Sequence, residues 1–571
     1  MFRRVLDATL EPMAWCALAL IAIFIQLPAQ RLPRLYEDSF QYLSAAHELR
    51  SNHCMATSLV HFDTERSYGT IPAPMTWFPP GYPLAIALVS AIGFSYERAA
   101  LLISTACFAL TAGGLWCLMR MLDPSRWAAR VAVVCWLVNS LAIGSSVSAL
   151  SEAIFTIFGL ASLLFLASTG ETSAGARNGI SWVGAAVMAG ISYWLRYAGI
   201  LWALTCLTIL LARMATGCAK KPSRRAAAVA GASLVLFLAP LMIRNAILTG
   251  DWRGGNNTPI TMPISQLAAA APRVLWHLIL GDGTLAQLRF PLSLMALGLV
   301  GIAVAALRAR SARPTPPIWQ LVSWRLLATK KGIVAAALLI YSIGIAAIAL
   351  RSPISYSPRM YIPVLPHIIA LATCGVAAIT RRLAGGYSRQ LSASIVLLLV
   401  GYVAGHSVSR ASSVGPDIFE KTQKALLVPD GGAPSIKQRL DAGLKPGQII
   451  AATNGQPAGY IMNRPTLSIV GHPFSRITWD ALALRKEMDR FGATYLLVFR
   501  DPALDPVLQQ SPFLAALAAG QAPAWLLPAG SNPDVCVYRF AKTIPNSIDE
   551  VGPQPGMLPC AVESTHSVAR R

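Results

Sequence analysis

Long apolar runs separated by short polar loops dominate the first 410 residues of the chain. About eleven windows approach the roughly 20 apolar residues that a helix needs to cross a bilayer. The pattern therefore predicts a polytopic α-helical membrane protein with about 11 transmembrane helices. The windows cover residues 13–29, 99–119, 130–147, 150–168, 180–194, 197–212, 226–243, 291–307, 332–350, 361–380 and 391–408.

Two apolar stretches leave the count open. Windows 180–194 and 197–212 are short and nearly continuous, so they could form one long bent helix. Residues 81–94 are apolar but follow an aromatic–Pro–Pro turn, and we expect an interfacial helix there. If the first two windows formed one helix, or if residues 81–94 crossed the membrane, every later loop would lie on the opposite side of the membrane.

The charge pattern supports counting windows 180–194 and 197–212 as two separate spans. Only 13% of residues are charged, about half the usual share of soluble proteins, yet the formal net charge is +22. The Lys and Arg residues fall in alternate loops, as the positive-inside rule requires when the N-terminus is cytoplasmic. The orientation of the chain in the membrane thus explains the positive net charge, and no nucleic-acid partner is predicted. The first span ends without a convincing cleavage site, so we interpret it as a retained anchor rather than a signal peptide.

Three outer regions remain: residues 30–98, 244–290 and the tail after 410. In the tail, residues 448–453 and 495–499 are typical of buried strands, and 480–491 of an amphipathic helix. We therefore predict a membrane domain over 1–409, a small α/β domain over 410–542, and a disordered tail over 543–571, which is rich in Pro and Ser.

The outer loop after the first span carries the most informative motif. Asp38 precedes Tyr42 by four residues at the start of an Ala-containing helix, and Phe78-Pro79-Pro80 follows in the same loop. This order resembles the GT-C glycosyltransferases, especially the protein O-mannosyltransferase and aminoarabinose-transferase branch. Further elements of the resemblance are Ser151-Glu152, Arg196-Tyr197-Ala198-Gly199, Arg244-Asn245 before Gly250, and Arg359-Met360-Tyr361-Ile362-Pro363. Where family members often have Asp-Glu, this chain has Asp38-Ser39, so an acidic partner would be Glu37 or another residue.

The chemistry of the individual residues is consistent with a glycosyltransferase site, and each residue also has a structural interpretation. Asp38, at the mouth of an apolar cavity, could take a proton from an alcohol, and one base suffices because a sugar phosphate already has a stable leaving anion. Otherwise Asp38 caps a helix over 40–49. Arginines at outer membrane ends suit a lipid phosphate, or simply snorkel to headgroups; they are Arg196, Arg244 and Arg359. Glu152 is a functional candidate, or an acid placed against a helix dipole.

His47, His53, Cys54, His61 and Asp63 cluster in the first outer loop. None of their spacings matches a ligand motif, so no metal site is predicted. No phosphate loop, dinucleotide fingerprint or nucleophile elbow occurs in a credible context either, and we predict no cofactor.

The resemblance implies an enzyme of the bacterial inner membrane that moves a hexose or pentose from a polyprenyl-phosphate donor, with inversion. Its site residues would be Asp38 as base and Glu37, Tyr42, Phe78, Pro79, Pro80, Glu152, Arg196, Arg244, Arg359 and Tyr361 as substrate-binding residues. The acceptor could be a lipid, a glycan or a protein, and the tail domain would be periplasmic. The rival classes are a transporter or lipid flippase, which would favour repeated halves and midplane polar residues, and a glycan ligase that uses a lipid diphosphate.

Overall fold

The computed structural model describes residues 2–26, 33–61, 67, 69–169, 176–215, 224–254, 263–280, 329–351, 356–383, 418–429, 433–471, 477–501 and 506–541. Predicted spans 291–307 and 391–408, and the tail over 543–571, lie outside these residues. The chain divides into two compact units. The membrane unit comprises Met1–Arg34 and Phe78–Val414, and the C-terminal unit comprises Leu35–Trp77 and Gly415–Arg571.

Helices account for the described part of the membrane unit. In chain order, and including α2 of the other unit, the helices are α1 (Phe2–Gln26), α2 (Glu37–Asn52), α3 (Gly81–Ser90), α4 (Tyr96–Leu122), α5 (Arg126–Val138), α6 (Ser140–Ser146), α7 (Glu152–Ser168), α8 (Ala176–Leu195), α9 (Ile200–Ala215), α10 (Arg224–Thr249), α11 (Ile264–Leu280), α12 (Lys330–Ala349) and α13 (Leu365–Leu383).

Within the described ranges, five helices are long and apolar enough to cross a membrane. The pair α5–α6 is bent by 63° and would make a sixth span if it crosses as one. Four further apolar helices are shorter, and two predicted spans are not described. The chain is therefore a mostly helical protein with membrane-spanning helices, while the number of about 11 stays a prediction. The five are Tyr96–Leu122, Tyr197–Ala215, Arg224–Thr249, Lys330–Ala349 and Pro358–Ala378.

Helices α8 and α9 are an antiparallel pair rather than one bent helix. The Cys206 thiol of α9 lies 3.6 Å from the carbonyl oxygen of Ala185 in α8, so the two helices run side by side. The chain reverses in a short 3₁₀ turn over Tyr197–Gly199. A Cβ on Gly199 would overlap the backbone of α8, because the turn folds tightly onto the end of that helix. This reversal separates windows 180–194 and 197–212.

Helix α3 is too short to cross a bilayer alone. Its 10 residues extend over about 15 Å, half of the roughly 30 Å hydrocarbon core. Leu84, Leu88 and the following Ile92 are exposed, as expected of an apolar helix that lies against lipid.

The C-terminal unit is built on a six-stranded sheet in the order β2-β5-β4-β6-β8-β7. Strands β2, β5, β4 and β6 are parallel, and β8 and β7 extend the sheet in antiparallel fashion. A separate antiparallel pair joins β1 and β3. The strands are β1 (Ala56–Thr57), β2 (Leu59–Val60), β3 (Ala73–Pro74), β4 (Ile450–Ala452), β5 (Thr466–Ser468), β6 (Tyr495–Phe499), β7 (Leu526–Ser531) and β8 (Val535–Phe540).

Helices cover both faces of this sheet. Side chains alternate along each strand, so Ala451 and Leu496 enter one apolar core while Ile450 and Leu497 enter the other. The elements predicted at 448–453, 480–491 and 495–499 coincide with β4, α17 and β6. The helices are α14 (Ile418–Leu427), α15 (Ile436–Gly443), α16 (Gly455–Met462), α17 (Ala481–Phe491) and α18 (Pro512–Ala518).

One part of this unit was not foreseen. Strand β2, from the first outer loop, pairs in parallel with β5, which lies some 400 residues later; two residues are too few to carry a readable alternation. Helix α2 is fastened to β2, since the Gln41 side-chain amide donates to the Leu59 carbonyl at 2.7 Å. Residues 35–77 therefore fold as part of the C-terminal unit.

Candidate active site

A buried carboxylate begins helix α7. Glu152 is the first residue of the helix, and its side chain is 1% exposed. An acid at this position faces the positive end of the helix dipole, but the dipole alone does not compensate a charge this deeply buried. Two guanidinium groups do so: one from Arg196, at 2.8 Å, and one from Arg359, whose Nε donates to the same Oε1.

Arg196 is held in position by the turn between α8 and α9. Its backbone is extended (φ −151°, ψ 139°), which ends α8 and directs the side chain toward the start of α7. There the guanidinium donates to the Ser151 hydroxyl at 2.9 Å. The reversal of the chain at Gly199 thus brings Arg196 to Glu152.

Arg359 comes from the 3₁₀ helix Pro358–Val364, which precedes α13. The backbone of this segment is anchored, because the Tyr341 hydroxyl donates to the Met360 carbonyl at 2.9 Å. Tyr361 is buried, and its ring meets that of Tyr356 edge-on at 6.1 Å. The Arg359 side chain is 29% exposed, the most accessible of the three charged groups.

Arg244 and Asn245, at the end of α10, join the same region through a hydrogen bond. The fully buried Asn245 amide donates to the Tyr197 hydroxyl at 3.0 Å, next to Arg196. The Arg244 guanidinium lies 3.5 Å from the Asn245 side-chain oxygen. The structure therefore brings Glu152, Arg196 and Arg359 into direct contact, and connects Arg244 to them through its neighbour.

The cluster carries two cations and one anion among the residues that the structure describes. Both arginines bind a single oxygen, Oε1, and the buried Oε2 has no hydrogen-bond partner within the described ranges. A site with a net positive charge and an open acceptor can receive an anion together with a hydroxyl group. We call Glu152, Arg196 and Arg359 the ion cluster.

The residues predicted around Asp38 lie in α2, within the C-terminal unit. Tyr36 is the N-cap of α2 and the helix begins at Glu37, so the interpretation of Asp38 as a cap is wrong. Asp38 is half-buried in the first turn, where the helix dipole favours a negative charge, and Glu37 is exposed. Tyr42 is buried in the core. Asp38 thus stands on a helix that is firmly anchored to the sheet.

Phe78, Pro79 and Pro80 lead into α3 in the membrane unit. Pro80 is the N-cap of α3 (φ −78°), Pro79 and Pro80 are buried, and Phe78 is half-buried. These residues fix the entry angle of α3, and their predicted place in a cavity wall stays a prediction.

The polar cluster of the first outer loop contains no group of three metal-ligand side chains in the described residues; Asp63 is outside them. His53 ends α2 in the left-handed region (φ 54°). His61 is buried, and burial lowers the pKa of its imidazole to about 3, so the ring is neutral at physiological pH.

His367 was not among the residues predicted from the sequence. It is fully buried in α13, with its ring 5.3 Å from that of Trp202. Trp202 in turn lies 5.4 Å from Tyr341, which borders the ion cluster through Met360. The signal was present, since His367 is the one residue among Asp, Glu, Lys, Arg and His in the apolar window 361–380, and such residues are functional candidates by default.

A family model and several solved structures resemble this chain. The family model of dolichyl-phosphate-mannose-protein mannosyltransferases matches residues 78–243, a range that contains Glu152 and Arg196. The structure of ArnT from Cupriavidus metallidurans in the apo state matches with a TM-score of 0.57 at 14% identity, covering 93% of this chain and 98% of that one. The chain therefore shares the fold of this membrane glycosyltransferase, and residues 78–243 resemble the mannosyltransferase family.

Two further GT-C structures share the fold. ArnT from Cupriavidus metallidurans bound to undecaprenyl phosphate matches with a TM-score of 0.56 at 13% identity, covering 95% of this chain and 99% of that one. The oligosaccharyltransferase AglB from Archaeoglobus fulgidus, in complex with an inhibitory peptide and a dolichol-phosphate, matches with a TM-score of 0.52 at 11% identity, covering 94% and 75%. No curated protein sequence matches significantly.

Proposed function

We propose that the chain transfers a monosaccharide from a polyprenyl-phosphate donor to a lipid, glycan or protein acceptor on the outer face of the bacterial inner membrane. The observation that carries the proposal is the ion cluster. It places two guanidinium groups on one buried carboxylate at the ends of membrane-unit helices, which is a suitable binding site for a lipid phosphate. Two of the matched GT-C structures hold polyprenyl-type phosphates.

In this proposal the arginines bind the donor phosphate and stabilise it as the leaving group. Glu152 orients both guanidinium groups, and its Oε2 is an acceptor for a hydroxyl group of the donor sugar. Arg359, as the most exposed member, contacts the phosphate first. Arg244 and Tyr361 contribute to the same donor site, since Arg244 is connected through Asn245 and Tyr197, and Tyr361 lies on the segment of Arg359.

Asp38 is the proposed base, with Glu37 and Tyr42 in the acceptor region. The acceptor hydroxyl attacks the anomeric carbon and gives its proton to Asp38. The bond between that carbon and the phosphate oxygen breaks, its electrons leave with the polyprenyl phosphate, and the configuration inverts. The positively charged arginines lower the barrier because negative charge grows on the phosphate as this bond breaks.

The proposal includes the topology predicted from charge: a cytoplasmic N-terminus, about eleven crossings, and a periplasmic domain over 410–542, to which the structure adds residues 35–77. A lipid donor suits an outer-face reaction because it reaches the site from the bilayer. Phe78, Pro79 and Pro80 then line the wall of the donor cavity.

The test is sugar transfer from a labelled polyprenyl-phosphate donor pool by membranes that contain the wild type, Asp38→Asn or the control Asp534→Asn, whose side chain is exposed. We expect Asp38→Asn to lose transfer at normal extracted yield and Asp534→Asn to retain it. Full transfer by Asp38→Asn would remove the proposed base. Absence of transfer by the wild type with every donor would favour a transporter or lipid flippase.

A further inference from the structure

The connections of the C-terminal sheet diverge at β4. From β4 the chain passes through α16 to β5 on one side, and from β5 it passes through α17 to β6 on the other side of β4. The two helices lie on opposite faces, since Met462 of α16 and Met488 of α17 enter different apolar cores. Open α/β sheets bind ligands beyond the carboxyl ends of the strands, at such a switch point.

Helix α16 begins at this switch point without a side-chain cap. The Asn454 side chain is engaged elsewhere, because its amide donates to the Thr422 hydroxyl at 2.8 Å. Gly455, the first helical residue, stands directly against Ser468 at the end of β5, and a Cβ there would overlap that residue. The first turn therefore has two N–H groups without an intrahelical acceptor, those of Gly455 and Gln456, because Pro457 has none.

Two buried polar side chains flank this helix start. Gln456 is 1% exposed and neither atom of its amide has a hydrogen-bond partner in the described part of the chain. The Ser468 hydroxyl, against Gly455, is fully buried and equally without a partner there. Buried polar atoms are nearly always paired, and leaving them unpaired is costly, so two of them at one helix start indicate a site that a ligand completes.

The chemistry of these groups selects a neutral ligand with hydroxyl groups. An amide and a hydroxyl both donate and accept hydrogen bonds and carry no charge. The charged pair on the neighbouring elements, Lys421 and Asp501, is self-compensating at 3.7 Å. Tyr460, four residues after Gln456, does not add to the site, because its ring packs against those of Phe40 and Phe419.

We propose that the C-terminal unit binds a saccharide ring at the start of α16, with Gln456 and Ser468 as hydrogen-bonding partners of its hydroxyl groups. This assignment of the ligand rests on the proposed function, for which the saccharide is part of a glycan acceptor. The site would hold the acceptor by a sugar residue other than the one that reacts, and so select glycan acceptors over protein ones.

The test uses the full chain in a detergent without a sugar headgroup. Methyl glycosides of glucose, galactose, mannose and xylose are the probes, and saturation-transfer NMR detects binding. We expect signals from at least one glycoside, reduced at least fivefold in Gln456→Leu and in Ser468→Ala. The control Gln521→Leu, at an exposed position of the same unit, should leave them unchanged. Gln456→Leu should also melt no lower than the wild type, because it removes an unpaired buried amide.

Absence of signal from all four glycosides, or equal signals from the wild type and Ser468→Ala, would overturn the saccharide site. A lower melting temperature of Gln456→Leu together with a silent wild type would assign the two groups to a structural water. Sugar transfer measured on the same wild-type preparation separates this inference from the proposed function: glycoside binding without any sugar transfer would reject the reaction and keep the site.

Discussion

Replacing Glu152 by glutamine should destabilise the membrane unit and abolish transfer together. The substitution preserves the shape of the side chain but removes the negative charge that both arginines share. Arg196 and Arg359 would then be two cations held side by side, with exposed side-chain fractions of 13% and 29% and no anion between them. Their mutual repulsion would disturb the positions of both guanidinium groups.

The distances give the size of the effect. For Arg196 the nitrogen–oxygen separation is 2.8 Å, which corresponds to about 6 kcal/mol at an effective dielectric constant of about 20. The glutamine oxygen still accepts a hydrogen bond, worth about 1 kcal/mol. Loss of one partner from a buried pair typically costs about 3–5 kcal/mol, and we expect the free energy of unfolding to fall by that amount.

Denaturant unfolding of the purified chain in detergent measures this loss, with Glu11→Gln as the matched control. Glu11 pairs with Arg130 at 3.1 Å in the same unit, but the arginine side chain is 56% exposed, so its removal should cost less than about 1 kcal/mol. If Glu152→Gln unfolds at the same denaturant concentration as Glu11→Gln and still transfers sugar, the cluster is not the buried, positioning network described above.

Three further predictions follow from other features. Arg359→Lys keeps the charge but loses the planar fork, so the KM for the donor should rise about tenfold or more in transfer assays; an unchanged KM would place the phosphate elsewhere. Gly199→Ala should lower the melting temperature and the transfer rate because its Cβ meets the α8 backbone, whereas Gly231→Ala, with no atom within 4 Å, should not. Burial lowers the pKa of His61 to about 3 from 6.5, so near pH 5 the unfolded chain binds a proton that the folded one does not. The free energy of unfolding, measured with denaturant, should therefore fall by about 2 kcal/mol between pH 7 and pH 5. His61→Asn should remove this part of the pH dependence.

The positions of the charged site residues at helix ends could be predicted from the sequence, but their contacts with one another could not. Arg196, Arg359 and Glu152 each stood at a helix end, where snorkelling or a helix dipole accounted for them equally well. Their partnership could not be read, since Glu152 and Arg359 are 207 residues apart and meet only when the helices pack. The α8–α9 reversal was predictable because charge alternation required it.

The first outer loop was the hardest region to interpret. Its helix α2 was expected from the pattern after Asp38, but the strand β2 was not, because Leu59-Val60 is too short to show a period. Such a strand exists only through its pairing with β5, a long-range contact that no local pattern encodes. His367 differs, since its position as an isolated histidine in an apolar window is visible in the sequence.

The most direct measurement is the binding of undecaprenyl phosphate to the purified chain by native mass spectrometry, with undecaprenol as the comparison lipid. We expect the wild type to retain the phosphate and not the alcohol, Arg359→Gln to lose the phosphate, and Glu11→Gln to retain it. Equal retention of phosphate and alcohol by the wild type, or full retention of the phosphate by Arg359→Gln, would contradict the donor site at the ion cluster.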